Sequence, residues 1–391
     1  MSVIALRWVC GATCVMAAAL GIGRFAYTPL LPEMVQVYAW DFGQAGDVAS
    51  ANFLGYLVGA LAAPSLAGSQ QIRYWIGLSL MASVATTALG QVAYDYVTWL
   101  VLRFAAGVAS AYCLVLVTTQ LLQRLDREDA AHLGNVHFAG VGIGILICMT
   151  VLIFPPSIVD AWRYLGGASA LLMLAAWLAL STSIVPNQAA TQAPSSSRTG
   201  NGLWLIITGY GFFGFGYVVS ATFVVAMAQQ ISGSITQGTE VWWVVGGSIV
   251  PSVYAWQVLA NRCGLFRTLR WAYLVEAVGA TMAAFATDIV VLSFACVLLG
   301  GTFAAVTALG ISAAKQLAGP RIAYAVSAMT VAFAIGQLIG PAVSGRIADL
   351  MGDFFWPCVL AGALLAISAA LVRDPERVEE VGERGGRGHT H

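Results

Sequence analysis

Charge is what this chain has least of. Asp, Glu, Lys and Arg together fill 9% of 391 positions, against 59% for hydrophobic residues, and a soluble domain of that size with so few charges has no means of solvating its surface. A soluble globular protein is therefore excluded, and a polytopic membrane protein is expected. Each spanning helix needs about 20 apolar residues, so about twelve fit in the chain with short connections. Little is left for a soluble domain.

Other absences narrow the function. There is no phosphate-binding P-loop and so no direct ATP drive. Metal-ligand spacing is missing, and the tail sequence His389-Thr390-His391 is too short to count as a designed site. No catalytic constellation appears, so the chain is not read as an enzyme, and no cofactor is expected. The formal net charge of zero identifies no charged partner, and nucleic acid is not one. The seven cysteines lie mostly within apolar segments, as small core residues and not as a disulfide framework. The first apolar run continues through Gly21 to Pro32 without a small-residue cleavage site, which reads as a first span and not as a removed signal peptide.

Hydropathy and turn residues predict spans near 8–32, 46–67, 73–93, 98–121, 132–154, 163–184, 203–228, 241–261, 269–287, 289–313, 322–345 and 353–373. Positive residues such as Arg73, Arg124, Arg127, Arg262 and Arg267 fall at alternate loops or at the two ends, with Arg163 and Arg346 as exceptions. By the positive-inside rule both termini are cytoplasmic. The stretch Pro186 to Asn201, rich in Ser, Ala, Gln and Thr, reads as a flexible cytoplasmic linker. This divides the chain into an N-terminal six-helix half (1–185), the linker (186–201), a C-terminal half (202–373) and a cytoplasmic tail (374–391).

The halves repeat one another. A shift of 193 places Gly21-Ile22-Gly23-Arg24 on Gly214-Phe215-Gly216-Tyr217, Leu66-Ala67-Gly68-Ser69 on Leu259-Ala260-Asn261-Arg262 and Gly107 on Gly300, and a slightly larger one places Gly140xxxGly144 on Gly336xxxGly340. Four matches in the same order support a duplicated half.

The first span contains Gly21-Ile22-Gly23-Arg24-Phe25-Ala26-Tyr27-Thr28-Pro29-Leu30-Leu31-Pro32. An arginine near the bilayer centre costs roughly 2.5 to 3.5 kcal/mol on insertion scales, so something must answer its charge. Pro29 and Pro32 each remove a helix hydrogen bond, and that end of the span can bend. Together with Ala49-Ser50-Ala51-Asn52-Phe53-Leu54-Gly55-Tyr56, the stretch resembles the YbfB/YjiJ branch of the major facilitator superfamily, a group of bacterial membrane transporters. The resemblance implies an all-α integral membrane fold of twelve transmembrane helices in two parallel-repeat six-helix halves, with a site between them near the midplane. Leu259-Ala260-Asn261-Arg262-Cys263-Gly264 with Arg267 is similar to the superfamily's cytoplasmic loop motif, with Asn261 where an aspartate is usual. Its first-half counterpart, Leu66-Ala67-Gly68-Ser69, is eroded. Gly336-Gln337-Leu338-Ile339-Gly340-Pro341 matches a motif typical of exporters but sits in the second half, so export does not follow.

Two readings of Arg24 stand. Either its guanidinium faces the central cavity and binds an anion through its planar fork, or it pairs structurally with a helix C-terminus or with Glu33 or Asp47. Tyr27 and Thr28, three and four residues on, are expected to share its face. Arg103 resembles the arginine that the superfamily associates with proton coupling; its place a turn or so inside the span equally allows it to snorkel to the periplasmic interface. His137 and Glu276 are candidates for proton exchange. Both are expected within about two turns of a cytoplasmic end, where pairing with Arg262, Arg267 or Arg270 is the plainer account. Glu33 and Asp47 are comparable candidates, Asp47 alternatively as an N-cap of the second span. Asn52 and Tyr56 either contact substrate or bond between helices. Tyr210, Phe213, Tyr217 and Ser220 line a seventh-span face without a counterpart to Arg24, either as a seat for an aromatic or apolar body or as gap filling.

The function expected is a secondary transporter of a small organic anion, coupled to protons, working by alternating access in a bacterial inner membrane with lipid around it. The alternatives are an exporter of lipophilic or cationic drugs and, from another class, a non-transporting receptor or scaffold.

Overall fold

The structure is a computed structural model that describes residues 2–67, 69–130, 133–154, 157–180, 201–318 and 322–373. All but residue 201 of the expected linker, and the whole expected tail, lie outside them. Among the described residues there are helices and no strands, as a chain in lipid requires when each span must satisfy its own backbone.

Twelve spans follow in order: α1 Val3–Tyr38, α2 Phe42–Ala62, α3 Ile72–Val92, α4 Tyr96–Arg127, α5 Ala139–Val151, α6 Ile158–Leu180, α7 Asn201–Ser232, α8 Ile235–Cys263, α9 Leu265–Ala284, α10 Ile289–Ala318, α11 Ile322–Met351 and α12 Phe355–Leu371. Eight of these are long and apolar enough to cross a membrane by themselves. Of the other four, α5 and α12 are shorter apolar helices, and α2 and α9 have full length diluted by polar and small residues. The chain runs up and down between two faces. On the near face, where α1 begins, Arg7 donates to the Leu178 carbonyl at the end of α6, and Arg270 at the start of α9 donates to the Val372 carbonyl just beyond α12. On the far face Phe285, beyond α9, meets Phe355 at the start of α12.

Helix ends follow local chemistry. Asp41 caps α2, accepting from the Gln44 N–H at 2.6 Å while the Gln44 side chain accepts from the Asp41 N–H at 3.2 Å. The expected N-cap at Asp47 is thus corrected: Asp47 lies a turn and more inside. Gly264 joins α8 to α9 at φ +90°, a conformation that a side chain resists, which accounts for the glycine of the loop motif there.

The first span is the irregular one. Its 36 residues would make a rod of about 54 Å, well beyond a hydrocarbon core of about 30 Å. The rod is broken instead: α-helix to Met16, a π-helical turn over Ala17–Ile22, an open turn at 23–26, and α-helix again from Tyr27. Pro29 dictates the place. Its ring has no N–H and crowds the carbonyl four residues back, that of Phe25, so the Thr28 N–H turns to the Phe25 oxygen. The π-helical turn packs on α5, where Gly144 lies so close that a Cβ there would overlap the Ala17 carbonyl. The corresponding helix pair of the second half also packs closely, with Gly336 of α11 against the Gly211 carbonyl of α7.

Helices α1–α6 pack chiefly on one another, as do α7–α12, and the two sets meet where α2 lies on α11, α5 on α8 and α1 on α7. The last contact includes a hydrogen bond from Thr28 to the Ala221 carbonyl, 2.6 Å, between positions 193 apart, the shift that relates the two halves.

Candidate functional site

The break in α1 exposes carbonyls in the middle of the molecule, and Arg103 takes them. From α4 its Nη1 donates to Gly23 O at 2.8 Å and its Nη2 to Arg24 O at 3.0 Å, while its guanidinium lies 5.0 Å from the centre of the Tyr27 ring. Arg103 is 4% exposed, so its guanidinium does not snorkel to an interface. Asn52 supports it from α2, donating to the Arg103 carbonyl at 3.0 Å. That helix pair is in close contact because a Cβ at Gly55 or Gly107 would overlap the carbonyl of Phe104 or Asn52.

Arg24 stands beside this clamp and is differently placed. It is 7% exposed, and its guanidinium carbon sits 4.1 Å from the Tyr56 ring centre and 5.2 Å from that of Phe53. Those rings are three residues apart on α2 and so share one face. Its Nε and Nη2 are buried without a hydrogen-bond partner, and among the described residues it has no ion pair. Glu33 and Asp47 do not pair with it. Asp47 is held by Arg346 through two bonds of 2.7 and 2.8 Å and by the Tyr96 hydroxyl at 3.1 Å.

Neither Tyr27 nor Thr28 directs its hydroxyl to the Arg24 guanidinium: the Tyr27 hydroxyl donates to Ala45 O of α2 at 2.8 Å, and that of Thr28 to Ala221 O of α7 at 2.6 Å. Both polar groups are already engaged.

Facing Arg24 from the second half is a column of rings. Tyr217, at the position equivalent to Arg24, is stacked between Phe303 of α10 (5.4 Å, 5°) and Phe333 of α11 (5.6 Å, 6°). Phe213 stacks on Tyr217 at 5.3 Å, and Tyr210 lies 5.0 Å from Phe333 with its hydroxyl toward the Thr307 carbonyl. Gln337 donates to the Tyr217 hydroxyl. Phe25, next to Arg24, bridges the halves through Phe303 (5.9 Å) and Trp242 of α8 (6.2 Å). Ser220 is buried on α7, one turn beyond Tyr217. Phe53, Phe303, Phe333 and Gln337 were not legible as site residues. An aromatic in an apolar helix carries no mark of its neighbours, and Gln337 stands in a motif notable for its glycines.

The other candidates are dispersed. His137 is fully buried in a 3-10 turn over Val136–Phe138 ahead of α5, with Nε2 3.0 Å from the Thr118 hydroxyl; it pairs with no loop arginine. Glu33 is half-buried on α1. Glu276 is the twelfth residue of the 20 in α9, about 16 Å from its first residue at 1.5 Å per residue, and so lies deeper than two turns. Arg262 is exposed, Arg267 lies over Trp271 and Arg270 reaches Val372, so none pairs with Glu276.

At the far face the halves are joined. Besides the Asp47–Arg346 pair, Asp349 of α11 accepts from the N–H groups of Phe42 (2.9 Å) and Gly43 (2.7 Å) at the start of α2. The exception to the charge pattern at Arg346 is thus an inter-half contact. Arg163, the other one, pairs with Asp160 on its own helix at 3.0 Å.

No curated protein matches the chain by sequence. Its fold is similar to that of the crystal structure of nucleoside transporter NupG, with a TM-score of 0.68 at 12% identity over 95% of this chain and 98% of that one. A point mutant of the same transporter gives 0.69 at 13% identity over 94% and 98%. At such identity the likeness speaks for the major facilitator fold alone. A family model described as an uncharacterised MFS-type transporter, YbfB, matches residues 16–373, and the chain belongs to that family of major facilitator superfamily transporters.

Proposed function

We propose that this transporter is a secondary carrier of a small organic anion, coupled to protons, with Arg24 as the anchor for the anionic group. The observation that carries this reading is a guanidinium 7% exposed, with Nε and Nη2 unpartnered and no carboxylate in contact. A buried charge without a counter-ion is costly, and a ligand carboxylate, sulfonate or phosphate would supply both charge and acceptors. Tyr56 lies over the anchor, and Asn52 stands one turn before Tyr56 on α2. The ring column of Tyr210, Phe213 and Tyr217 forms an apolar wall opposite, with Ser220 beside it. A lipophilic cation would meet an unneutralised positive charge, which disfavours the drug-export alternative.

Residues 1–185 and 202–373 act as two bodies that rock about this centre, joined by 186–201. The positive loops put the near face and both termini in the cytoplasm of a bacterial cell. The far face, latched by Asp47, Arg346 and Asp349, is then closed to the periplasm.

A thermal-stability screen of the purified protein and Arg24→Gln against organic anions, neutral solutes including nucleosides, and lipophilic cations tests the reading. A ligand at 100 times its dissociation constant adds about 2.7 kcal/mol of stability. An anion that stabilises the wild type and leaves the folded variant unchanged is the expected result. Cations that stabilise both proteins equally would sink the anion reading.

A further inference from the structure

Among the described residues Glu276 is the only acidic side chain that is buried, 1% exposed in the middle of α9, and neither of its carboxyl oxygens has a hydrogen-bond partner. No cation among the described residues lies within ion-pair distance of it. The groups around it are neutral. Tyr273 precedes it by three residues with its hydroxyl also unpartnered. Thr302 of α10 stands beside it but gives its proton to the Leu298 carbonyl at 2.6 Å. Cys296 on α10, Tyr210, Tyr217, Ser220 and Thr222 on α7, and Cys358 and Ser368 on α12 are further polar or titratable side chains buried on the helices that pack against α9, with Ser252 on α8. The charged residues of these elements lie toward helix ends: Glu240, Arg262 and Lys315 are exposed, Arg267 covers Trp271, and Arg270 is bonded to Val372 O.

An ionised carboxylate in this setting is an uncompensated charge, whereas a carboxylic acid is neutral and carries an O–H for a neighbouring oxygen. We propose that Glu276 is the proton-binding site of this carrier, occupied by a proton in the arrangement described here. A continuous column of rings connects it to the anion site. Tyr273 meets Phe213 at 5.9 Å, Phe213 stacks on Tyr217, Tyr217 on Phe303, and Phe303 meets Phe25 beside Arg24.

The charges of the two sites also link them. An anion on Arg24 adds one negative charge and a proton on Glu276 removes one, so the fully loaded carrier has the same net charge as the empty one, whatever the constant contribution of Arg103. One proton moving with one anion is thus electroneutral, and the membrane potential does not oppose it. The coupling rests on the anion reading above; the proton site does not.

Infrared spectroscopy of the protein in liposomes tests the proton site without any substrate. At neutral pH the wild type is expected to show the C=O stretch of a protonated buried carboxyl, shifted by D2O and reduced to background in Glu276→Gln. Should that variant not fold, Glu276→Asp is expected to keep the band at a displaced frequency. A neutral-pH spectrum without a carboxyl band that either variant alters would overturn the proposal and leave Arg24 as anion anchor untouched. A band that behaves as expected while the anion screen fails keeps the proton site and removes only its link to anion flux.

Discussion

Two arginines sit side by side at the centre of this transporter, and their contacts assign them different work. Arg103 has two backbone carbonyls as acceptors, freed by the break in α1, whereas two of the guanidinium nitrogens of Arg24 have none. Removing Arg103 therefore orphans Gly23 O and Arg24 O in the buried interior. The Arg103→Gln variant is expected to lose about 2 to 6 kcal/mol of stability, read from denaturation in detergent, because two buried carbonyls are left unpaired at about 1 to 3 kcal/mol each. Unchanged stability together with lost transport would instead give Arg103 a part in the transport cycle beyond the clamp. Arg24 was conspicuous in the sequence because a charge interrupts an apolar run. Tyr56 was a candidate on the second span in its own right, but its pairing with Arg24, and that of Phe53, was not legible, because nothing local ties either ring to a residue of another helix.

Between helices, close approach depends on what is missing at Cβ. Gly55 and Gly107 let α2 and α4 touch backbone to backbone, and that contact holds Asn52 against the Arg103 carbonyl. Gly55→Ala is expected to push the pair apart and cost about 1 to 3 kcal/mol, the usual range for overpacking. Gly247→Ala on α8 meets no heavy atom within 4 Å and is expected to gain up to about 1 kcal/mol from helix propensity. Thermal unfolding of the two variants measures the contrast. Equal effects would show that the α2–α4 seam has slack. Pro29 made a bend in the first span foreseeable. The π-helical turn before it was not, since it depends on the packing of Ala17 against Gly144 from a helix more than a hundred residues away.

At the scale of the whole molecule, the far-face contacts set the balance between conformations more than they set stability. The Asp47–Arg346 pair is half exposed, with side-chain exposures of 27% and 56%, and such pairs contribute about 0 to 1 kcal/mol. Two conformations of a carrier differ by only a few kcal/mol, so a small term shifts their ratio severalfold. Spin labels at Tyr94→Cys and Met351→Cys, on exposed positions of the two halves in a background without the native cysteines, report the far-face separation. Arg346→Gln is expected to raise the long-distance population severalfold while changing unfolding stability by less than about 1 kcal/mol. An unchanged distance distribution would show that the latch does not govern closure.

Membrane embedding, the number and order of the spans, the internal repeat and the family were decided by the sequence alone, because hydropathy is a sum over neighbouring residues and motifs are contiguous. Where each polar side chain finds its partner was decided only in three dimensions. The carbonyls of Ala45 and Ala221 took the hydroxyls of Tyr27 and Thr28, a helix of the other half claimed Asp47, and the depth of Glu276 along α9 removed it from the loop arginines. A helix shows its period in sequence, but its rotation about its own axis, and any break that resets that rotation, depend on surfaces supplied from elsewhere in the chain.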